Sequence, residues 1–310
     1  MSAALAAKRA ARKRARAKSA ARVASTKPAA PVRAAVLGAD VSRSRSPDIH
    51  QAAFHALGIA GAYEAHSVSA RGFRNLVRSL ARDGYRYLNV TIPHKNAAAA
   101  MATTRSAAVR ASGAANTLIF AAAKKRGGRA ALKIRAENTD GPGMLAALRD
   151  LGAEAAGATA VVVGAGGAAA GAASALTAAG ARVRVVARRP AVGRAMKARL
   201  PARQRALITV VTWDEAGLAG ALAGAAIVVS AVPAAAWDTP EACAGLEAID
   251  PSAAVLEMAY GAETPLARAV RGRARRYADG LGMLVHQAAA AIRLALGKEA
   301  PLPALFRSVM

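Results

Sequence analysis

The chain has 310 residues, enough for one large or two ordinary domains, and with 54% hydrophobic residues it can fill a core, which excludes a wholly disordered protein. No apolar run approaches the roughly 18 residues of a membrane span, and the single cysteine, Cys243, excludes an internal disulfide. A formal net charge of +26 favours anionic partners in general, but no nucleic-acid-binding motif accompanies it, so we do not expect nucleic-acid binding.

Residues 1–30 contain no acidic residue, and we predict that they form a basic, solvated tail. Nine positive charges lie in this segment: Lys8, Arg9, Arg12, Lys13, Arg14, Arg16, Lys18, Arg22 and Lys27. Organellar transit peptides have a similar composition, so two locations stay open. We favour the cytoplasm, in keeping with the low cysteine content, and organellar import is the alternative.

After Pro31 the hydrophobic pattern predicts strands at 34–37, 63–68 and 87–91, with helices at 46–57 and 70–81 between them. This β-α-β-α-β run favours a parallel sheet. Segments 117–120 and 131–135 flank Gly127-Gly128 and predict a hairpin.

A second block begins with a helix after Gly141 and contains strands at 159–163, 182–186, 207–211, 226–229 and 254–258. The pattern therefore predicts an α/β protein with two sheets, two domains and a crevice between them. Small-molecule sites favour such crevices.

The strand at 159–163 leads into a glycine-rich turn and a helix predicted at 170–179. The turn reads Gly164-Ala165-Gly166-Gly167-Ala168-Ala169. Glycines let backbone N–H groups approach a pyrophosphate, whose charge the helix N-terminus stabilises. A strand, this turn and a helix in succession predict a dinucleotide site.

The end of the next strand carries Arg188 and Arg189 where NAD enzymes usually have a carboxylate. Two guanidiniums suit the 2′-phosphate of NADP, which a carboxylate would repel. The alternative interpretation is that these residues are ordinary surface arginines in an arginine-rich chain. We predict NADP as the cofactor.

Polar side chains gather where the predicted strands end. Ser44 and Ser46 precede the first helix, and alone they suggest helix capping more than anion binding. The other clusters are Asn89 to Lys95, Asn116-Thr117 and Asn138-Thr139-Asp140-Gly141. We predict no metal site, because the five histidines are scattered without ligand spacing.

Taken in order, these segments resemble the shikimate dehydrogenase family from about residue 34 to residue 296. The matching motifs are Ser44-Arg-Ser46-Pro47, Asn89-Val-Thr91-Ile-Pro93-His-Lys95, Ala115-Asn116-Thr117, Asn138-Thr139-Asp140-Gly141, Gly164-Ala-Gly166-Gly167-Ala168 and Ala278-Asp279-Gly280-Leu-Gly282-Met283-Leu-Val-His-Gln287. The resemblance implies NADPH-dependent reduction of 3-dehydroshikimate to shikimate in chorismate and aromatic amino-acid biosynthesis. A quinate or aminoshikimate dehydrogenase of the same family is the alternative.

The resemblance also implies roles for individual residues. Lys95 and Asp140 match the catalytic pair. Other substrate contacts match Ser44, Ser46, Asn89, Thr91, Asn116, Tyr260 and Gln287, with the two serines on the carboxylate. The cofactor is expected at Gly164, Ala165, Gly166, Gly167, Ala168, Arg188, Arg189, Gly280 and Met283.

The implied division has a tail at 1–30, a substrate-binding α/β domain with a mostly parallel sheet at 31–140, and a doubly wound Rossmann domain for NADP at 141–278. Helices at 279–310 pack back on the substrate domain, and a monomer or homodimer is expected. Three segments depart from the family pattern: Ala187-Arg188-Arg189, Ser230-Ala231-Val232-Pro233 and the loop at 259–265, which keeps the family's tyrosine and Thr-Pro but lacks the proline between them. None of them includes the catalytic pair.

Overall fold

The computed structural model describes residues 30–121, 132–239, 242, 245–261, 263–271 and 276–310. Cys243, the predicted loop at Gly127-Gly128 and residues 1–29 of the predicted tail lie outside the described residues. Among the residues that are described, no helix combines the length and the apolar character needed to cross a membrane.

Six strands form the first sheet of the described chain: β1 (Val32–Gly38), β2 (Gly61–Ser67), β3 (Tyr87–Val90), β4 (Thr104–Arg105), β5 (Thr117–Ala121) and β6 (Lys133–Glu137). Their order is β2-β1-β3-β5-β6-β4. β1 pairs in parallel with both β2 and β3, whereas β5 is antiparallel to β3 and to β6. The predicted hairpin is therefore present, and it makes the sheet mixed.

Helices α1 (Ser46–Ala56), α2 (Phe73–Arg82), α3 (Lys95–Met101) and α4 (Ala107–Ser112) connect these strands. Helix α2 begins three residues later than predicted. The chain first makes a turn in which Ser69 accepts hydrogen bonds from the Gly72 N–H, through its carbonyl at 3.1 Å and its hydroxyl at 3.3 Å. This local bonding competes with the helix and delays its start.

The second sheet contains β7 (Thr159–Val163), β8 (Arg182–Ala187), β9 (Ile208–Thr212), β10 (Ile227–Ser230), β11 (Ala254–Glu257) and β12 (Arg276–Ala278). All described pairings are parallel, in the order β12-β11-β10-β7-β8-β9. In β7, Val161 and Val163 pack into one hydrophobic cluster and Ala160 and Val162 into another. Both faces of the sheet are thus covered, as a doubly wound fold requires.

Helices of this half are α5 (Asp140–Asp150), α6 (Gly167–Ala178), α7 (Pro190–Ala198), α8 (Ala202–Ala206), α9 (Glu215–Leu222) and α10 (Pro265–Arg271). Helix α6 begins at Gly167, inside the glycine-rich turn and three residues earlier than predicted. Its first N–H groups consequently belong to the motif itself.

A long helix, α11 (Gly280–Leu296), joins the two sheets, and α12 (Leu302–Arg307) follows it. At its C-terminal end the carbonyls of Leu294 and Ala295 accept hydrogen bonds from Arg135 and Arg86 of the first half, at 2.9 and 3.3 Å. Near its N-terminal end it packs tightly on α5, where a Cβ on Gly143 would lie 2.8 Å from Gln287 Cβ. Gln287 is therefore held at the junction of the sheets.

Candidate active site

Lys95 and Asp140 form a salt bridge at this junction, with Nζ 2.7 Å from Oδ2. Their side chains are only 19% and 13% exposed, so water screens the pair weakly. Each residue is the first of its helix, α3 or α5, and each follows the carboxyl end of a strand of the first sheet. That edge is where open α/β sheets bind ligands.

Local contacts fix the point at which α3 begins. The preceding residue, His94, is buried and stacks on Phe73 with ring centroids 4.6 Å apart, and its Nε2 lies 2.8 Å from the Val68 carbonyl. For α5, the Asn138 side-chain oxygen accepts from the Asp140 backbone N–H at 3.0 Å. The side chains of Lys95 and Asp140 therefore extend from backbone that these contacts hold in place.

Asn116 connects the salt bridge to the rest of the site. Its Oδ1 accepts from the Thr139 backbone N–H at 2.8 Å, and a backbone N–H can only donate, which fixes the orientation of the amide. Its Nδ2 then lies 2.9 Å from Asp140 Oδ1 and from Thr139 Oγ1, and 3.1 Å from Gln287 Oε1. Side chains from two other segments, at 139–140 and 287, thus converge on the Asn116 amide, and this amide shares the Asp140 carboxylate with Lys95.

Asn89 lies beside this cluster on β3. Its side-chain oxygen accepts from the Tyr63 hydroxyl at 2.8 Å, and its Nδ2 donates to the Asn116 carbonyl and to Thr117 Oγ1 at 3.3 and 3.1 Å. Thr117, Thr139 and Tyr63 were not among the predicted site residues. The two threonines stand inside the motifs quoted above, whereas nothing in the sequence indicated Tyr63.

The glycine-rich turn opens onto the same crevice. Gly164 has φ +119°, a conformation suited to glycine, and a Cβ there would lie 3.1 Å from the Ala231 carbonyl oxygen. Gly166 precedes α6 without a side-chain cap, and a Cβ on it would meet no atom within 4 Å. A Cβ on Gly167, the first residue of α6, would lie 3.7 Å from Asn96 Oδ1, so this helix begins beside the residue that follows Lys95.

Arg188 and Arg189 are exposed and follow the last residue of β8, the strand paired with β7. The Gly164 N–H donates to the Val186 carbonyl at 2.8 Å, so the turn and the arginines share one edge of the sheet. This combination fits a phosphorylated dinucleotide: uncapped N–H groups for a pyrophosphate, open space at Gly166 and two guanidiniums for a further phosphate.

The capping interpretation of the two serines holds only in part, because neither is the N-cap residue but Ser44 accepts from the N–H of the first residue of α1. The N-cap of α1 is Arg45, the residue between them, and it makes no side-chain cap hydrogen bond. Ser44 Oγ instead accepts from the Ser46 N–H at 3.3 Å. Thr91 lies beside Gly38, the last residue of β1, because a Cβ on that glycine would meet the Thr91 methyl carbon at 2.5 Å.

The remaining predicted residues lie on the nucleotide side. Gly280 begins α11 against the Met258 backbone, and Met283 is buried one turn later. Tyr260 is half-buried in the loop after β11, and the hydrogen bonds of the described chain do not link it to the Asn116 cluster. Across the same residues, no group of three or more histidine, cysteine, aspartate or glutamate side chains is placed to hold a metal.

Comparison with known proteins places this arrangement in a family. The family profile described as "Shikimate dehydrogenase substrate binding domain" matches residues 36–118, and one described as "Putative NAD(P)-binding" matches residues 152–242. The shikimate dehydrogenase (NADP(+)) of Methylobacterium radiotolerans is 40% identical over 262 residues, which cover 83% of this chain and 88% of that relative. The chain belongs to the shikimate dehydrogenase family.

Solved members of the shikimate dehydrogenase family share the fold. The shikimate 5-dehydrogenase of Thermus thermophilus, in complex with NADP(H) and shikimate, has a TM-score of 0.75 and 28% identity, covering 89% of this chain and 98% of that chain. The Mycobacterium tuberculosis shikimate dehydrogenase has a TM-score of 0.74 and 32% identity, covering 90% and 98%. The family and the two-part α/β fold predicted from the sequence are confirmed.

Proposed function

We propose that this chain catalyses the reversible, NADPH-dependent reduction of 3-dehydroshikimate to shikimate. The observation that carries the proposal is the Lys95–Asp140 salt bridge, with its 2.7 Å Nζ–Oδ2 distance, beside a glycine-rich turn that fits a dinucleotide. One relative named above is a shikimate dehydrogenase (NADP(+)), and another was solved in complex with NADP(H) and shikimate. The physiological role would be a step of chorismate and aromatic amino-acid biosynthesis.

In the proposed mechanism, Lys95 Nζ carries the proton that passes to the carbonyl oxygen of the substrate. Asp140 Oδ2 holds the ammonium in place, while Asn116 Nδ2 bonds the other carboxylate oxygen and keeps the carboxyl plane fixed. When bound, NADPH supplies the hydride that reduces the carbonyl carbon. In the reverse direction Lys95 accepts the proton of the substrate hydroxyl.

The proposed cofactor contacts are Gly164 to Ala168 for the pyrophosphate, Arg188 and Arg189 for the 2′-phosphate, and Gly280 and Met283 near the nicotinamide. Their support is the open space at Gly166 and the exposure of both arginines at the same sheet edge. The proposed substrate contacts are Ser44, Ser46, Asn89, Thr91, Lys95, Asn116, Asp140, Tyr260 and Gln287.

The proposal includes the division at residues 31–140, 141–278 and 279–310. In its support, β1 to β6 lie within the first range and β7 to β12 within the second. We propose the cytoplasm as the site of action, since the named relatives are bacterial and lend no support to an organellar transit peptide. We also propose that the protein acts as a monomer or homodimer and does not bind nucleic acid.

The test compares kcat/KM for shikimate, quinate and aminoshikimate, each with NADP and with NAD. A site built to bond a hydroxyl can discriminate strongly against analogues that leave its polar groups unpaired. We expect the shikimate and NADP combination to exceed every other by at least about tenfold. A higher kcat/KM for quinate or aminoshikimate would show that the chain has the alternative function. A higher kcat/KM with NAD than with NADP would contradict the proposed role of Arg188 and Arg189.

A further inference from the structure

Tyr63 lies on β2, which β1 separates from β3, yet its hydroxyl contacts Asn89 of the proposed site. Ala34 of β1 pairs with both Tyr63 of β2 and Tyr87 of β3, and the small alanine leaves the two tyrosine rings 6.2 Å apart. His50 of α1 stacks on Tyr63 with ring centroids 4.1 Å apart and an interplanar angle of 7°. From this packed position the Tyr63 hydroxyl bonds Asn89 Oδ1 at 2.8 Å.

The partners of Asn89 fix which way its amide points. The Asn116 backbone carbonyl can only accept, so the Asn89 atom 3.3 Å from it must be nitrogen. The second hydrogen of that nitrogen is directed to Thr117 Oγ1 at 3.1 Å, and Thr117 in turn donates its hydroxyl hydrogen to Asn116 Oδ1 at 3.0 Å. Both amide hydrogens of Asn89 are therefore committed to the protein.

The oxygen of Asn89 faces Tyr63, which must donate. Burial raises the pKa of Tyr63 well above its ordinary value, so the phenol keeps its proton. An amide oxygen accepts two hydrogen bonds, and Tyr63 occupies one of these positions. What Asn89 retains for a ligand is one acceptor position and no donor.

We propose that Tyr63 is a positioning residue that, together with the Asn116 carbonyl and Thr117, presents Asn89 to the substrate solely as a hydrogen-bond acceptor, so that the site selects a ring hydroxyl able to donate. The inference rests on the proposed function, because it assigns a polarity to one of the proposed substrate contacts. In this arrangement each side chain donates a hydrogen bond to the next one, in the order Tyr63, Asn89, Thr117, Asn116 and Asp140 Oδ1.

The decisive variant is Tyr63→Phe, and the chain offers a matched control in Tyr87→Phe. Tyr87 stands in the same buried group, but its hydroxyl meets His50 Nδ1 at 2.7 Å and not Asn89. We expect Tyr63→Phe to lower kcat/KM for shikimate roughly three- to tenfold through KM, without changing KM for NADP. Tyr87→Phe should stay within about twofold of the unmodified protein. Equal effects of the two variants on KM would overturn the proposal.

A double variant separates positioning from a general structural effect. If Tyr63 acts through Asn89, adding Tyr63→Phe to Asn89→Ala should change kcat/KM by less than about twofold. A further loss as large as that of Tyr63→Phe alone would contradict the proposal. Unmodified protein that turns over no shikimate with NADP would instead refute the proposed function, which keeps the two failures distinct.

Should Tyr63→Phe not fold, unmodified protein provides the test. The two non-reacting ring hydroxyls of shikimate are replaced in turn, each by hydrogen or by fluorine. Fluorine accepts a hydrogen bond weakly and cannot donate one. Because Asn89 offers only an oxygen, the fluoro analogue should bind no better than the deoxy analogue at the position that Asn89 contacts. Fluoro analogues that bind more tightly than the deoxy analogues at both positions would overturn the proposal.

Discussion

The two sides of the crevice are built by different means. On the substrate side, buried side chains bond one another: Lys95 to Asp140, Asp140 to Asn116, and Asn116 to Gln287. On the nucleotide side, the described residues offer backbone N–H groups at a glycine-rich turn and two exposed arginines. A small, polar, reacting molecule requires geometry that is fixed before it binds, whereas a large cofactor can be held by repeated phosphate contacts.

This contrast predicts different responses to substitution. Side chains that bond one another in a buried group depend on each other, so removing one leaves its partners unsatisfied. Exposed arginines that act on a phosphate are expected to contribute nearly independently.

The largest effect is expected for Lys95→Ala. Loss of the amine removes the proton carrier and leaves Asp140 without its cation, so kcat should fall about a hundredfold to ten-thousandfold. Shikimate binding, measured by calorimetry, should weaken much less, because the remaining substrate contacts persist. Lys298→Ala removes an exposed lysine elsewhere and is the matched control. A kcat that stays unchanged while affinity falls would show that Lys95 binds substrate without transferring a proton.

A smaller effect is expected on the nucleotide side. Replacing Arg188 and Arg189 with alanine should raise KM for NADP by about tenfold, because charge-assisted hydrogen bonds to the 2′-phosphate are lost. The kcat/KM for NAD should stay unchanged. Arg182→Ala is the control, since Arg182 is an exposed arginine at the opposite end of the same strand. An equal loss for NAD, or an equal effect of Arg182→Ala, would exclude a phosphate-specific role.

Much of this fold could be predicted from the sequence, because strands buried on both faces are apolar and regularly spaced. The strands at 159–163 and 254–258 agree with the structure to within one residue. Helix starts were less predictable. Alanine and glycine after Gly166 gave no sharp boundary, and the Ser69 turn that delays α2 depends on a local hydrogen bond.

The site was predictable in its members but not in its connections. Strand ends placed Lys95 and Asp140 at one sheet edge, and the family resemblance supplied their roles. The hydrogen bond of Asn89 to Thr117 depends on the antiparallel register of β3 and β5, which a single sequence does not specify. Capping by the serines was predictable only in part for a similar reason, since a Ser-x-Ser pattern does not reveal that the residue between the serines is the N-cap.

The smallest predicted effect concerns the buried support of the substrate side. Burial lowers the pKa of His50 from 6.5 to about 3, so the folded protein holds this ring neutral where the unfolded chain protonates it. Above pH 6.5 the ring is neutral in both the folded and the unfolded state, so His50 does not make the free energy of unfolding depend on pH. Between its two pKa values its burial costs stability as the pH falls, because protons bind preferentially to the unfolded state.

Denaturant titrations at about pH 7.5 and about pH 5.5 test this effect. Through His50 alone the free energy of unfolding should fall by about 1 kcal/mol between these values. His50→Phe should lose that part of the pH dependence while keeping a ring stacked on Tyr63. His55→Phe, an exposed position on the same helix, leaves His50 and its contribution intact and is the matched control. The same decrease in the unmodified protein and in His50→Phe would mean that the folded protein tolerates a proton at His50, which would contradict a substrate side whose buried geometry is fixed before the substrate binds.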